Sequence, residues 1–205
     1  MFQNYIIRDA EACDAPCVAL LLVQAMGDLA RFFTSDTGRE EEIFLFDKFF
    51  EERGNQYSFE NTLVVELNGK VVGSSNGYDG GKLQELRQPF FNYIKSKFNV
   101  QLPDCDEETE QGEFYIDCVS VLPEVQGKGI GTALIEAMIE KGRQLNFKKI
   151  GLLVDVKNQD ANRLYANLGF VKIKNKSFMG GKYEHLQFNC FPTATLSHSD
   201  ESKLE

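Results

Sequence analysis

In VLPEVQGKGIGTAL, residues 121–134, three glycines alternate with other residues and run at once into an apolar helical pattern. A glycine-rich turn that opens a helix suits phosphate, because bare N–H groups and the positive end of the helix dipole converge on one spot. Spacing separates the known phosphate motifs. A Walker loop needs four residues between its first glycine and a Gly-Lys-Ser/Thr, and none is present. The dinucleotide fingerprint GxGxxG fails too, since Gly127, Gly129 and Gly131 give GxGxG. That fingerprint also normally opens its domain, with an acidic residue about 20 positions later.

The sequence on either side of the turn reads as α/β. Phe114 to Leu122 (FYIDCVSVL) predicts a strand, and Ile130, Leu134, Ala137 and Met138 share one side of a helix from about Gly129 to Gln144. Further on, Lys149 to Val156 predicts a strand and Ala161 to Leu168 a helix stopped by Gly169. Two last strands are expected at Val171–Lys174 and Tyr183–Phe188. Towards the N-terminus the plainest element is a hairpin. Thr62–Leu67 and Lys70–Ser74 flank Asn68-Gly69, which supplies the positive backbone angles of a two-residue turn. Phe2 to Arg8 predicts a first strand, Asp9 a helix cap, and Ile43, Phe44, Phe46, Phe49 and Phe50 a helix over Glu40–Glu52. Met26 to Arg39 reads as a loop with a broken helix. From Gly80 to Glu113 runs a segment that begins with Leu83, Leu86, Phe90, Phe91, Ile94 and Phe98 at helical spacing, with Pro89 as a kink or break. It ends in Asp104, Asp106, Glu107, Glu108, Glu110 and Glu113 without a positive neighbour in sequence, which predicts a solvated loop.

Composition bounds the rest. A chain of 205 residues suits one domain. It is expected over 1–190, and the polar tail 191–205 is expected to be flexible. Cys17–Val23, the longest apolar run near the start, falls far short of the ~20 residues of a membrane span. It has neither the positive flank nor the cleavage site of a secretory signal, so a cytoplasmic protein with no membrane partner is expected. A net charge of −9 argues against nucleic acid, whose phosphates attract basic surfaces. Five cysteines without CxxC, Cys105 among them in the acidic loop, and two histidines, His185 and His198, give no zinc spacing. No metal is expected, and the cysteines read as free thiols.

Gln126-x-x-Gly129-x-Gly131 is the Q/R-x-x-G-x-G/A pattern of acetyl-CoA binding. Downstream, Asn158-Gln159-Asp160-Ala161-Asn162-Arg163-Leu164-Tyr165-Ala166-Asn167-Leu168-Gly169-Phe170 reads as N-x-x-A-x-x-L-Y-x-x-x-G-F. With both segments in order and at the right interval, the sequence resembles the GNAT (general N-acetyltransferase) superfamily from the first strand to Phe188. The resemblance implies a central mixed twisted sheet of about six or seven strands flanked by helices, from which the segment at about 80–113, before the strand that leads to the glycine turn, departs as a helical insertion. It also implies acetyl-CoA as cosubstrate. Backbone amides of Gln126, Gly127, Lys128, Gly129, Ile130, Gly131 and Thr132 would cradle the pyrophosphate, and the strand backbone at Val119 and Val121 would polarise the thioester carbonyl. Asn158 would contact the pantetheine or phosphate region, and Tyr165 would protonate the leaving thiolate after direct attack by an amine.

Each of these residues has a plainer alternative. Asn158 stands where a helix cap belongs. Tyr165 has the helical spacing of a core aromatic with Ala161 and Leu168. Strand alternation puts Asp117 on one face with Tyr115 and Val119, opposite Cys118. A carboxylate among apolar neighbours has its pKa raised toward that of a general base, and a structural role for Asp117 is equally open. Glu113 is a weaker candidate. The expected acceptor is a primary amine, either a small cationic one or a protein or peptide amine. The alternative is a non-catalytic acyl-CoA sensor of the same fold, and similar proteins allow a homodimer.

Overall fold

The structure is a computed structural model that describes residues 5–104 and 106–191. The first residues of the expected first strand, Cys105 and all but Phe191 of the expected tail lie outside the described residues.

Seven strands form one sheet: β1 (Tyr5–Asp9), β2 (Thr62–Leu67), β3 (Lys70–Asp79), β4 (Glu113–Val121), β5 (Lys149–Asp155), β6 (Val171–Phe178) and β7 (Gly181–Asn189). Their order is β1-β2-β3-β4-β5-β7-β6, and every neighbouring pair is antiparallel except β4 and β5. A parallel pair needs a crossover, which the helix after the glycine turn provides. The helices are α1 (Ala15–Met26), α2 (Asp28–Phe33), α3 (Arg39–Glu51), α4 (Leu83–Phe98), α5 (Ile130–Gln144) and α6 (Gln159–Asn167). Among the described residues no helix is long and apolar enough to cross a membrane. The β2–β3 hairpin turns at Asn68 (φ 53°) and Gly69 (φ 75°), as a right-twisted two-residue hairpin requires.

Two cores lie on the two faces of the sheet. Leu134, Ile135 and Met138 of α5 pack over Phe114, Ile116, Ile150 and Leu152 on one face. On the other, Val18, Leu22, Phe46, Phe50 and Ile94 of α1, α3 and α4 enclose Phe90. The Phe90 ring lies 5.1 Å from Phe33 and Phe49 and 4.8 Å from Tyr57, so this core takes much of the phenylalanine content.

Three local expectations are corrected. Asp9 caps no helix: it ends β1 and meets Lys141 Nζ at 2.8 Å. The helix starts at Ala15 instead, behind Asp14, whose carboxylate is held at 2.8 and 2.9 Å by both terminal nitrogens of Arg8. Pro89 does not break α4, which runs without interruption past it. The proline and Glu85, whose carbonyl loses its donor, both face solvent, so the freed carbonyl is not sealed away from water. The acidic segment is not simply solvated. Glu108 and Thr109 are buried, Arg87 of α4 pairs with Glu108, and Asp106 accepts from the Ser177 N–H at 2.6 Å. Lys176 of β6 donates to the carbonyls of Glu107 (2.6 Å), Glu108 (2.9 Å) and Thr109 (3.3 Å), fastening the loop to the sheet.

Candidate active site

The site begins where two strands part. β4 and β5 pair only from Glu113↔Lys149 to Ile116↔Leu152 and then diverge. At the same point β4 bulges: Cys118 pairs with Asn76 and Ile116 with Gly77, so Asp117 is the extra residue between them. This corrects the expected alternation. The bulge sends Cys118 to the α1 and α3 side and Val119 to the α5 side, while Asp117 faces the opening. Beyond the bulge, Leu122 N–H binds Val72 O on β3. Since backbone groups alternate along a strand, Val119 and Val121 turn theirs to the side that β5 has left.

The glycine turn lies at the end of β4. Gly127 (φ 72°) and Gly129 (φ 81°) take left-handed backbone angles that glycine adopts without steric cost. Among the described residues the N–H groups of Gly127, Lys128, Gly129, Ile130, Gly131 and Thr132 have no hydrogen-bond partner. They surround the N-terminus of the 15-residue α5, which makes a fitting cradle for a dianionic phosphate group. The Gln126 side chain does not face that cradle. Its Nε2 donates to Val121 O at 2.8 Å, joined by Gln24 Nε2 at 3.0 Å, and the two amides pin the turn to the strand. Ile130 is buried in the α5 core, Thr132 is half-buried, and Lys128 is exposed with its Nζ 3.5 Å from Glu124 O. Gln24 carries no motif, and sequence reasoning missed it.

A cavity of about 550 Å³ opens beside the parted strands. Asp117, Val119, Asn158 and Tyr165 line it together. Asn158 Oδ1 accepts from Ala161 N–H at 3.1 Å, so it caps α6 and reaches the cavity from the cap. Tyr165 stands one ring from Phe170, at 5.7 Å, and burial pushes its phenol up to about 12, so it carries its proton at neutral pH. Asp117 accepts from Tyr78 Oη at 2.9 Å, and burial pushes its carboxyl up to about 6 against the opposing effects of Tyr78 and Arg87. Glu108, delivered by the insertion, lines the same cavity and accepts from Tyr115 Oη at 3.4 Å. Burial, reinforced by the charge of Asp117, pushes Glu108 up to about 7 while Arg87 opposes.

Other candidates lie elsewhere. Glu113 is fully buried outside the cavity, accepting from His185 Nε2 at 3.0 Å, Gln187 Nε2 at 2.8 Å and Glu110 N–H at 2.8 Å. It packs on Gly151, where an added Cβ would stand 2.2 Å from Glu113 Oε2, and this location removes it as a base. Glu110, Glu113 and His185 stand within metal-ligating reach of one another. Glu113 is held by His185 Nε2, Lys174 Nζ meets Glu110 Oε1 at 2.6 Å, and His185 Nδ1 is buried without a hydrogen-bond partner among the described residues. The described cysteines Cys13, Cys17, Cys118 and Cys190 are free thiols. Cys118 is buried, and burial raises its thiol so that it stays protonated.

Comparison with known proteins bears on the family and the fold. Spermidine N(1)-acetyltransferase of Escherichia coli (strain K12) is 31% identical over 90 residues, 42% of this chain and 47% of that enzyme. The chain thus spans about half the length of this curated relative. A crystal structure described as that of an acetyltransferase superposes with a TM-score of 0.77 at 27% identity, covering 91% of this chain and 100% of the other. The structure of yncA from Salmonella typhimurium, solved with its cofactor acetyl-CoA, covers 95% of this chain and 99% of that one, with a TM-score of 0.55 at 16% identity. Residues 23–170 match the acetyltransferase (GNAT) family, and the chain belongs to that family.

Proposed function

We propose that the protein transfers the acetyl group of acetyl-CoA to a primary amine by direct attack. The observation that carries this reading is that Asp117 and Tyr165 line one cavity at the point where β4 and β5 part, and that β4 leads from Asp117 into the glycine turn with its unpartnered N–H groups. The turn fits the pyrophosphate of CoA in charge and hydrogen-bonding capacity. Bound there, acetyl-CoA supplies an activated thioester carbonyl. The backbone N–H groups of Val119 and Val121 point toward the gap and would polarise that carbonyl. Asp117, ionised above pH about 6, takes a proton from the incoming ammonium. Tyr165, protonated at neutral pH, donates to the departing sulfur. Holding both reactants in line contributes much of the rate.

The similarity to a spermidine acetyltransferase supports an aliphatic amine as acceptor. The test is release of CoA from acetyl-CoA across polyamines, aminoglycosides, amino acids and peptides, with acetylated product identified by mass spectrometry. An acetylated amine establishes the activity. Acetyl-CoA binding without product from any amine would replace this reading with a sensor of acyl-CoA.

A further inference from the structure

The cavity carries more negative charge and more hydrogen-bond acceptors than its own residues neutralise. Among the described residues, its walls bear Asp28, Glu108, Asp117 and Asp155 and no lysine or arginine. Behind the wall, Arg87 pairs with Glu108 and is itself buried. With both Glu108 and Asp117 ionised, that single guanidinium leaves the buried cluster one negative charge in excess. Gln56, 4% exposed, reaches the same wall and gives Nε2 to Asp117 Oδ2 at 3.5 Å. Its Oε1 is buried and has no donor, an acceptor left open on the amide that meets Asp117. Buried polar atoms are rarely left without a partner, and this one points to a ligand that brings N–H groups.

No other side chain around the pair supplies the missing charge. Tyr57, Tyr78 of β3, Tyr115 of β4 and Tyr183 of β7 are phenols raised by burial, and the buried Cys118 is a protonated thiol. Lys176 of β6 turns its ammonium to the backbone carbonyls of Glu107, Glu108 and Thr109, away from the carboxylates.

Resting on the acetyltransferase reading, we propose that Glu108 is a specificity-determining residue, which with Asp117 and the Gln56 carbonyl oxygen selects acceptors that enter as ammonium ions. The insertion then does more than decorate the fold, because α4 and its following loop hold Glu108 at the cavity through Arg87. In the acceptor step one N–H bond of the ammonium breaks and its proton passes to a carboxylate oxygen of the pair. The nitrogen keeps the electron pair and becomes the nucleophile. A neutral site would hold the same amine without drawing it from water in its protonated form.

The test is binding of 1,4-diaminobutane to the full chain saturated with CoA, which has no acetyl group to transfer. Calorimetry reads Kd at pH 5.5 and pH 8. The diamine stays protonated across this range while the pair ionises, so wild-type Kd should fall as pH rises. Glu108→Gln should raise Kd about tenfold at pH 8, the scale of one lost charged hydrogen bond, and leave the Kd of CoA unchanged. The double variant Arg87→Met with Glu108→Gln returns the cluster to one excess negative charge and should bind more tightly than Glu108→Gln alone. Unchanged diamine binding by folded Glu108→Gln overturns the proposal. If that variant does not fold, a wild-type Kd that is flat with pH, or no binding at either pH, does the same. None of these readouts needs turnover, so a protein that forms no acetylated product would refute the enzymatic reading separately.

Discussion

The Tyr78 hydroxyl donates to Asp117 Oδ2 at 2.9 Å, from the strand opposite the bulge that takes Asp117 out of the β3–β4 ladder. This bond holds the carboxylate toward the cavity, and burial keeps it reluctant to ionise. Asp117→Asn preserves the shape and an acceptor for Tyr78 but removes the base. We expect kcat to fall roughly 10²–10³-fold, the scale of general-base catalysis. The wild-type rate should rise with pH through about 6, and this limb should be absent in the variant. Initial rates over pH 5 to 9 check both.

The same group makes a stability prediction of opposite sign. A carboxyl whose folded pKa is raised binds protons in the folded state that the unfolded chain has released. Stability is therefore undiminished below the unfolded pKa near 3.8 and falls as pH rises to about 6. Asp117→Asn escapes that loss, so it should be more stable than wild type at pH 8 by about 3 kcal/mol, or roughly 6–12 °C in Tm. The two proteins should melt together near pH 4. Calorimetric melts at the two pH values decide it; a variant less stable than wild type at pH 8 would show that ionised Asp117 is held favourably.

Tyr165 tests the leaving-group step. Tyr165→Phe keeps the ring beside Phe170 and deletes only the hydroxyl. The expected result is a kcat lowered roughly 10²-fold with acetyl-CoA affinity within a factor of about two. A thiol leaving group of low basicity offers the sharpest comparison, since it needs little help from a proton donor. If kcat is unchanged, Tyr165 is a core aromatic and the sulfur takes its proton from water.

What could be read from the sequence follows from the range of the interactions. Asn68-Gly69 and the alternating glycines of the turn act through their own backbone, and both appear where expected. The Asp117 bulge is not read this way: Asp117 and Ser120 stand three apart, out of step with strict alternation, but which residue is extra is defined only by register against β3. Arg87 and Glu108 stand 21 residues apart, and nothing local shows that α4 brings them together. The same holds for Glu113 and His185, 72 residues apart, which turned an expected loop-end carboxylate into a buried one. Pro89 misled for another reason. Its local rule is correct, but Phe90 and Ile94 bury enough surface to hold the helix through it.

Gly129 isolates the backbone contribution to phosphate binding. Its φ is 81°, and an added Cβ would meet nothing within 4 Å, so Gly129→Ala costs only the left-handed conformation, roughly 1–2 kcal/mol. Relaxing that strain turns the neighbouring N–H groups away from their common focus. Acetyl-CoA should then bind roughly 10-fold more weakly, with acceptor affinity unaffected. Titration of CoA against dephospho-CoA separates the pyrophosphate cradle from other contacts, and an equal loss for both ligands is expected.

Gly151 and Glu113 give a prediction away from the cavity. A Cβ on Gly151 would stand 2.2 Å from Glu113 Oε2 and 2.3 Å from its carboxyl carbon, so Gly151→Ala drives the carboxylate from its place. His185, Gln187 and the Glu110 N–H then lose a shared acceptor in a buried site. Overpacking and the broken bonds together should cost about 3 kcal/mol, or roughly 6–12 °C in Tm. The pair must also couple. Glu113→Ala removes the obstructing carboxylate, and in that background Gly151→Ala should cost less than about 1 kcal/mol. Additive losses in the double variant would mean that the glycine is required by β5 itself and not by the carboxylate packed against it.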